Sequence, residues 1–176
     1  MNVESPRGED AVLVAVQSVL VGRPGVLAGA RMLSHFGEHS AGWVGVSVLG
    51  AVLQPARRRA WLTAGVGAFL AHAAAVVIKR VVKRKRPHHP AISVNVGTPS
   101  QLSFPSAHAT STTAAAILLG RATGLPLPAI LVPPMALSRL VLGVHYPTDV
   151  LTGVVVGAVV AESVGAISNR TAKVQA

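Results

Sequence analysis

The segment AWLTAGVGAFLAHAAAVVI, residues 60 to 78, runs for nineteen residues without a charged side chain. About 20 apolar residues in a helix are enough to cross the hydrocarbon core of a bilayer, so this segment predicts a membrane-spanning helix. Three arginines at 57 to 59 precede it and the basic run KRVVKRKRP follows it. Charges at both ends of an apolar helix are typical of its two membrane boundaries.

The composition of the whole chain agrees with a bilayer environment. Hydrophobic residues make up 51% of the chain and charged residues 12%, about half the charged fraction usual in soluble domains. The formal net charge is +10, but aromatic residues make up only 3%. This pattern favours contact with membrane lipids and not with nucleic acid. The chain has no cysteine, which excludes thiolate catalysis and cysteine-ligated metal.

Further apolar segments on both sides of the long helix predict an all-α, multi-pass membrane helix bundle of about six helices. We expect helical segments at 11–21, 24–35, 40–56, 57–86, 106–121, 129–144 and 148–167. The first of these either spans the membrane or lies in its interface. The last carries Gly153, Gly157, Ala161 and Gly165 at four-residue spacing, which lets helix backbones approach closely in lipid.

A length of 176 residues suits one compact domain. We expect a single integral-membrane domain over residues 1–176, with a polar N-terminal tail at 1–10 and a C-terminal tail at 169–176. Residues 87–105 form a proline-containing connector, which we expect to be an active-site loop.

Acidic residues are scarce where the best helices lie, since Asp149 is the only carboxylate between His39 and Ala161. Metal-dependent phosphate hydrolysis gathers several carboxylate or histidine ligands around its ions. We therefore expect no metal site and no cofactor, and chemistry performed by histidine, serine, lysine and arginine.

The first of three polar patches runs from Lys79 to Arg86, just before Pro87. On a continuous helix, seven residues are two turns, so both side chains would lie on one face and could converge on one anion. The alternative is a basic run that reaches toward headgroups, which we expect for Arg80, Lys83, Arg84 and Lys85.

The second patch is FPSAHATS, residues 104 to 111. Ser106 predicts a helix N-cap, and the free backbone amides of that first turn would form an anion site. His108 would lie in the same turn and could donate a proton to a leaving oxygen. A merely capped helix is the alternative.

The third patch is SRLVLGVHYPTD, residues 138 to 149. His145 and Asp149 are four residues apart, so the carboxylate could accept the imidazole Nδ1 proton and leave Nε2 as a nucleophile. The alternative is a capping aspartate beside a loop histidine. Charged groups such as Arg139 and Asp149 are costly at membrane depth without a function, which favours the catalytic interpretation.

Together the three patches resemble the tripartite signature of the type 2 phosphatidic acid phosphatase superfamily. Lys79 and Arg86-Pro87 are separated as in its first motif, residues 105 to 108 read PSAH where the family has PSGH, and the third patch keeps the family spacing. The resemblance implies a membrane lipid phosphate phosphatase that works through a phosphohistidine intermediate without metal. Ala107, in place of the family glycine, leaves the fit of a bulky pyrophosphate open.

The resemblance also implies a role for each matching position. The residues it assigns to the phosphate are Lys79, Arg86, Arg139, Ser106 and the amides of Ala107 and His108. His145 would attack phosphorus and Asp149 would orient it. His108 would protonate the departing lipid alcohol and later activate water.

The substrate is expected to be a lipid phosphate. The residue usage indicates a high-GC genome, and short actinobacterial members of the family suggest decaprenylphosphoryl-5-phosphoribose. Phosphatidic acid, phosphatidylglycerol phosphate and polyprenyl diphosphate remain alternatives, as does a non-catalytic protein that binds or translocates anionic lipid. The distribution of basic residues leans toward an active site on the extracytoplasmic side of the cell membrane.

The remaining histidines have simpler interpretations. His72 lies seven residues before Lys79 and hence on the same helix face, where we expect a buried histidine with its hydrogen bonds satisfied. The other four, in turns or in the loop, are His35, His39, His88 and His89.

Overall fold

The computed structural model describes residues 5–174, and every regular segment of that range is helical apart from one isolated bridge between Lys85 and Leu102. The all-α class is therefore confirmed. The helices are α1 (Gly8–Leu20), α2 (Val26–Gly37), α3 (Ala41–Leu53), α4 (Arg58–Val82), α5 (Ala107–Thr123), α6 (Leu127–Val141) and α7 (Pro147–Val174). Short 3-10 turns at Glu38–Ser40 and Pro55–Arg57 lead into α3 and α4.

Helix α5 lies at the centre of the bundle, packed against α4, α6 and α7. On α4 and α5 the facing positions are alanines, among them Ala68 and Ala115, which are fully buried. The predicted small face of α7 packs on α5: a Cβ at Gly153 would lie 2.8 Å from the carbonyl oxygen of Ser106, and one at Gly157 2.3 Å from that of Thr110. Backbones this close require glycine.

Outward-facing positions of the long helices are apolar. Val66 and Phe69 on α4 and Val155 and Val159 on α7 are each more than half exposed. Within the described residues, Pro55–Val82 and Pro147–Val174 are long and apolar enough to cross a membrane, and Leu127–Val141 is a shorter apolar helix. The exposed valines and phenylalanine are the surface that a bilayer would cover.

The long helix ends earlier than predicted. It stops at Val82, because Lys83 adopts the left-handed conformation with φ of 54°. The following residues are extended and pair with the end of the loop: the Ser103 amide donates to the Arg84 carbonyl at 2.8 Å, and the Arg86 amide to the Gln101 carbonyl at 3.3 Å. The expectation that Lys79 and Arg86 share one helix face is therefore wrong, although both still reach one cavity.

Both predicted tails are also shorter than expected. Helix α1 begins at Gly8, and α7 continues to Val174. The part of the N-terminal tail at 1–4 and the end of the C-terminal tail at 175–176 lie outside the described residues. Helix α1 is held by Gln17, whose amide nitrogen donates to the Ser93 carbonyl at 2.7 Å and whose oxygen accepts the Ser93 amide at 2.9 Å. This contact fixes the 87–105 loop over the bundle.

Candidate active site

A cavity of about 550 Å³ lies where α2, α4, α5 and α6 meet beneath the 87–105 loop. Its wall contains six of the eight predicted site residues: Lys79, Arg86, Ala107, His108, Arg139 and His145. A larger groove of about 640 Å³ between Pro55 and Ser168 contains none of them and lies at the other end of the bundle. The structure therefore brings residues from all three sequence patches into one enclosed site.

Lys79 enters the cavity from the last full turn of α4 and is only 8% exposed. Its ammonium group donates to the carbonyl oxygens of Leu102 at 3.1 Å and Ser103 at 2.9 Å. An ammonium has three hydrogens, so these two bonds fix its position and leave one hydrogen for a bound anion.

Arg86 reaches the same cavity from the extended segment after α4. Its Nε donates to the Ser100 carbonyl at 2.8 Å and its Nη1 to the Val144 carbonyl at 2.6 Å. Burial lowers the pKa of Arg86 to about 10, so the guanidinium is still charged at neutral pH. The two carbonyl bonds hold it at the cavity wall.

Arg139, on the last turn of α6, is 1% exposed. Its guanidinium donates to the hydroxyl of Ser138 at 3.0 Å, the hydroxyl of Ser34 at 3.1 Å and the carbonyl of Ala30 at 3.4 Å. None of these partners is a carboxylate, so the positive charge of Arg139 is not neutralised by its own hydrogen bonds. With Lys79 and Arg86 it makes the cavity a site for anions.

His145 lies in the turn between α6 and α7, with its side chain 4% exposed. Its Nε2 is 3.3 Å from Nη1 of Arg86, and because a guanidinium can only donate, Nε2 is the acceptor and Nδ1 carries the proton. Burial, reinforced by the positive charge of Arg86, holds the pKa of His145 well below its ordinary value of 6.5. The imidazole is thus neutral at pH 7, with a lone pair on Nε2.

Asp149 lies behind His145, in the first turn of α7, and its side chain is fully buried. Its Oδ2 is 3.7 Å from Nδ1 of His145, which is longer than a hydrogen bond, and instead accepts the Tyr146 amide at 2.8 Å. Nδ1 of His145 has no hydrogen-bond partner among the described residues. The pair is close enough to form the predicted bond after a small movement of the imidazole.

Arg84 was predicted to reach toward lipid headgroups, but in the structure it contacts Asp149 and its neighbours. Its guanidinium donates to Oδ1 of Asp149 at 2.9 Å and to the hydroxyl of Thr148 at 2.7 Å, and it forms an ion pair with Glu9. It also lies over the ring of Tyr146, 4.1 Å from the ring centroid. These contacts depend on the extended segment after Lys83. They could not be predicted on the assumption that α4 continues as a helix to Arg86.

Ser106 is the N-cap of α5, as predicted, and its hydroxyl accepts the Ala109 amide at 3.4 Å. The side chain is fully buried and does not line the cavity. Ala107 and His108 do line it, and their amides belong to the first turn of the helix, which has no intrahelical acceptor. Ala107 and His108 thus lie at the cavity wall, and the Ser106 hydroxyl caps the helix behind it.

His108 is held by a residue that the sequence did not single out. Its Nε2 donates to the Ser34 carbonyl at 2.9 Å, while the hydroxyl of Ser34 accepts from Arg139. Gly37 lies against the imidazole: a Cβ there would be 2.8 Å from Cδ2 of His108 and 3.2 Å from Cε of Met135. Helix α2 thus positions both His108 and Arg139 from the side opposite His145.

The arrangement of the described histidine and carboxylate side chains gives little support to a metal site. Within residues 5–174, no three histidine, aspartate or glutamate side chains come together in a way that could hold a metal ion. Asp149 is occupied by Arg84 and the Tyr146 amide. The expectation of a reaction without metal stays a prediction, to be tested with chelators.

The fold and site define a helical protein with apolar outer faces and a buried cavity lined by cations and histidines, and comparison with known proteins gives its family. The family model described as the PAP2 superfamily matches residues 60–171. The chain therefore belongs to the PAP2 superfamily. This confirms the family that the three sequence patches indicated.

Two named relatives are similar over most of their length. A Mycolicibacterium smegmatis protein named decaprenylphosphoryl-5-phosphoribose phosphatase is 78% identical over 150 residues, which are 85% of this chain and 83% of that protein. A Mycobacterium tuberculosis protein with the same name is 68% identical over 176 residues, covering 98% of this chain and 99% of the relative. With the family, they confirm the predicted enzyme class, a lipid phosphate phosphatase.

Among solved structures, the fold is similar to the crystal structure of a transmembrane PAP2-type phosphatidylglycerolphosphate phosphatase from Bacillus subtilis. The TM-score is 0.71 and the alignment covers 91% of this chain and 86% of the other, at 20% identity. At this identity the likeness concerns the fold alone. The exposed apolar faces of α4 and α7 are those of a membrane protein.

Proposed function

We propose that this chain hydrolyses the 5-phosphomonoester of decaprenylphosphoryl-5-phosphoribose, and that His145 forms a phosphohistidine intermediate during the reaction. The observation that carries the mechanism is the cavity whose wall contains Lys79, Arg86 and Arg139 together with a buried histidine, His145, whose Nε2 lies 3.3 Å from Nη1 of Arg86. The two relatives with 78% and 68% identity, which carry this substrate in their names, support the choice of substrate.

The proposed phosphate site consists of Lys79, Arg86 and Arg139, with the amides of Ala107 and His108. Each cation is fixed by hydrogen bonds to backbone carbonyls or hydroxyls, so little reorganisation is needed when the substrate binds. Positive groups arranged in advance around the equatorial oxygens stabilise the transition state of phosphoryl transfer.

The proposed reaction has two displacements. Nε2 of His145 attacks phosphorus, an N–P bond forms, and the P–O bond to the ribose oxygen breaks. His108 gives a proton to that oxygen, so the lipid leaves as an alcohol. Water then attacks the phosphohistidine, giving up a proton to His108, and the N–P bond breaks to release inorganic phosphate. Asp149 would stabilise the positive charge that develops on the His145 ring.

The chain is proposed to cross the membrane several times. The apolar surfaces of α3, α4, α6 and α7 support this arrangement, with the cavity near one membrane boundary. At the remote end, Arg57, Arg121 and Ala172 share one groove, and the basic residues there are Arg57, Arg58, Arg59, Arg121, Arg170 and Lys173. Arg84 at the site end and Arg121 at the remote end are both paired with carboxylates. The other basic residues of the remote end favour a cytoplasmic location for it and an extracytoplasmic site.

Single-cysteine labelling tests this orientation, because the chain has no cysteine of its own. His88→Cys marks the loop end and Lys173→Cys the remote end, and both side chains are exposed. In intact cells a membrane-impermeant maleimide should label His88→Cys only, and permeabilised cells should show both. Labelling of Lys173→Cys alone in intact cells would reverse the proposed orientation.

A substrate panel tests the reaction. Purified protein in excess chelator is given decaprenylphosphoryl-5-phosphoribose, phosphatidic acid, phosphatidylglycerol phosphate and a polyprenyl diphosphate, and released phosphate is measured. We expect the highest kcat/KM for the first, and a loss of at least about a thousandfold for His145→Ala. His88→Ala, which removes an exposed histidine outside the cavity, is the control. Unchanged phosphate release from His145→Ala would rule out His145 as the nucleophile, and no release by the wild type from any of the four substrates would leave a lipid-binding or translocating protein.

A further inference from the structure

The cavity continues beyond the phosphate site to a second polar wall formed by Glu38, His39 and His72. His72 lies seven residues before Lys79 on α4, which places it about 10 Å further along the helix axis, away from the membrane boundary. A group bound at this wall would therefore lie between the reacting phosphate and the hydrocarbon interior. We refer to these three residues as the inner polar wall.

His72 contributes its imidazole to this wall. Its Nδ1 is buried and has no hydrogen-bond partner among the described residues. The prediction that the hydrogen bonds of His72 are satisfied is therefore wrong. Buried polar groups are normally paired because an unpaired one loses its hydration without compensation. Because Nδ1 itself is enclosed by protein atoms, a ligand in the cavity would meet the Nε2 side of the imidazole and could form a hydrogen bond there.

The position of His39 is set by an unusual turn. His39 and Ser40 both adopt left-handed backbone conformations, with φ of 50° and 59°, which residues other than glycine rarely do. Such conformations persist where surrounding structure enforces them, and they cluster at ligand sites. Ser40 is fully buried, so it anchors the turn, and the His39 ring lies 5.7 Å from the His72 ring.

The chemistry of the inner polar wall matches hydroxyl groups better than a second anion. A neutral imidazole has one donor and one acceptor, a carboxylate has only acceptors, and a hydroxyl can serve both. The Glu38 carboxylate would repel a phosphodiester, whereas it would accept a hydrogen bond from a hydroxyl group. We propose that Glu38, His39 and His72 form a subsite for the hydroxyl groups of a sugar located between the reacting phosphate and the lipid chain.

This inference rests on the proposed function and assigns the residues that would recognise the sugar of its substrate. A pair of substrates with the same polyprenyl chain tests it: one carries phosphoribose as its terminal group, and the other is the polyprenyl monophosphate without a sugar. For wild type we expect a higher kcat/KM with the ribose substrate. His72→Leu should lower that value about tenfold, the effect of one hydrogen bond, and change kcat/KM for the monophosphate less than twofold.

Two further variants separate substrate recognition from folding. His72→Gln restores a polar group near the position of Nε2 and should recover most of the activity on the ribose substrate. Val77→Ala, on the exposed face of the same helix, should leave the ratio of the two kcat/KM values unchanged. Equal losses of His72→Leu on both substrates, or no loss on either, would overturn the subsite. Failure of wild type to hydrolyse the ribose substrate would instead overturn the proposed function.

Discussion

Arg84 donates a hydrogen bond from Nη1 to Oδ1 of Asp149 at 2.9 Å, and the Asp149 side chain is fully buried. The other carboxylate oxygen accepts the Tyr146 amide at 2.8 Å. Burying a carboxylate costs several kcal/mol unless charge and hydrogen bonds offset it. Arg84 supplies both from the side away from the cavity, so Asp149 can keep its charge while it faces His145.

The first prediction concerns Arg84 itself. Arg84→Ala removes a charged hydrogen bond to Asp149, an interaction worth about 1.5–3 kcal/mol, so we expect kcat to fall by about tenfold to a hundredfold. KM should change little, because Arg84 does not line the cavity. Arg84→Lys keeps the charge without the planar fork and should give an intermediate kcat. Steady-state kinetics on the proposed substrate measure both values.

Lys85→Ala is the matched control, since it removes a neighbouring positive charge from an exposed side chain. If Lys85→Ala lowers kcat as much as Arg84→Ala, the effect comes from the general basic potential of this surface and not from the contact with Asp149.

The second prediction concerns Glu9, which joins α1 to the start of α7. Its Oε1 accepts the Thr148 amide at 2.9 Å and the Thr148 hydroxyl at 2.7 Å, and Oε2 pairs with Arg84. Glu9→Ala removes a cap of α7 as well as an ion pair, so we expect the free energy of unfolding to fall by about 1–2 kcal/mol. Glu162→Ala breaks the exposed pair with Arg121 and should cost less than about 1 kcal/mol. Denaturant unfolding in detergent compares the two, and equal losses would contradict a structural role of Glu9.

Much of this arrangement could be predicted from the sequence because apolar periodicity and turn residues act locally. The cap at Ser106 was predicted correctly, and α7 begins at Pro147, one residue before the predicted start. The end of α4 was not predicted correctly, because nothing in the sequence KRVVKRKRP forbids a helix up to Pro87. It is the pairing of Arg84 and Arg86 with residues 101–103 that draws the chain out of the helix.

The site was predictable to the extent that charged residues at membrane depth need a function. The cost of burying polar and charged groups in a membrane singles out His145 and Asp149. It does not single out Ser34 or Gly37, because a serine or a glycine inside an apolar helix costs little. Arg84 was misassigned for a different reason: it lies in a run of basic residues, and only its tertiary contacts separate it from its neighbours.

The third prediction follows from the pKa of His145, which burial and then the charge of Arg86 hold below 6.5. A lowered pKa keeps the imidazole neutral as the pH falls, so the acid limb of kcat/KM that is due to His145 should lie below pH 6.5. Arg86→Gln removes the positive charge and should move that limb to higher pH, in addition to lowering kcat/KM. The substrate has its own ionisation near pH 6, but it is the same for both proteins. A limb that does not move between wild type and Arg86→Gln would contradict the assignment.

The fourth prediction concerns Gly37, which leaves room for the imidazole of His108. A methyl group at position 37 would lie 2.8 Å from Cδ2 of His108, closer than van der Waals contact allows, so Gly37→Ala should tilt the ring away from the Ser34 carbonyl. We expect kcat to fall about tenfold, the cost of one hydrogen bond. Gly29→Ala, on the same helix with no atom within 4 Å of the added Cβ, should leave kcat unchanged and stabilise the helix slightly.

A double-mutant cycle distinguishes an effect on His108 from a general disturbance of α2. If Gly37→Ala acts only by displacing the His108 imidazole, it can do no further harm once that imidazole is gone, and the kcat of Gly37→Ala/His108→Ala should equal that of His108→Ala. If the methyl group disturbs the whole helix, Arg139 should also shift, because its guanidinium is bonded to the Ser34 hydroxyl on α2. The two losses would then multiply, and KM for the phosphate substrate would rise in the double variant.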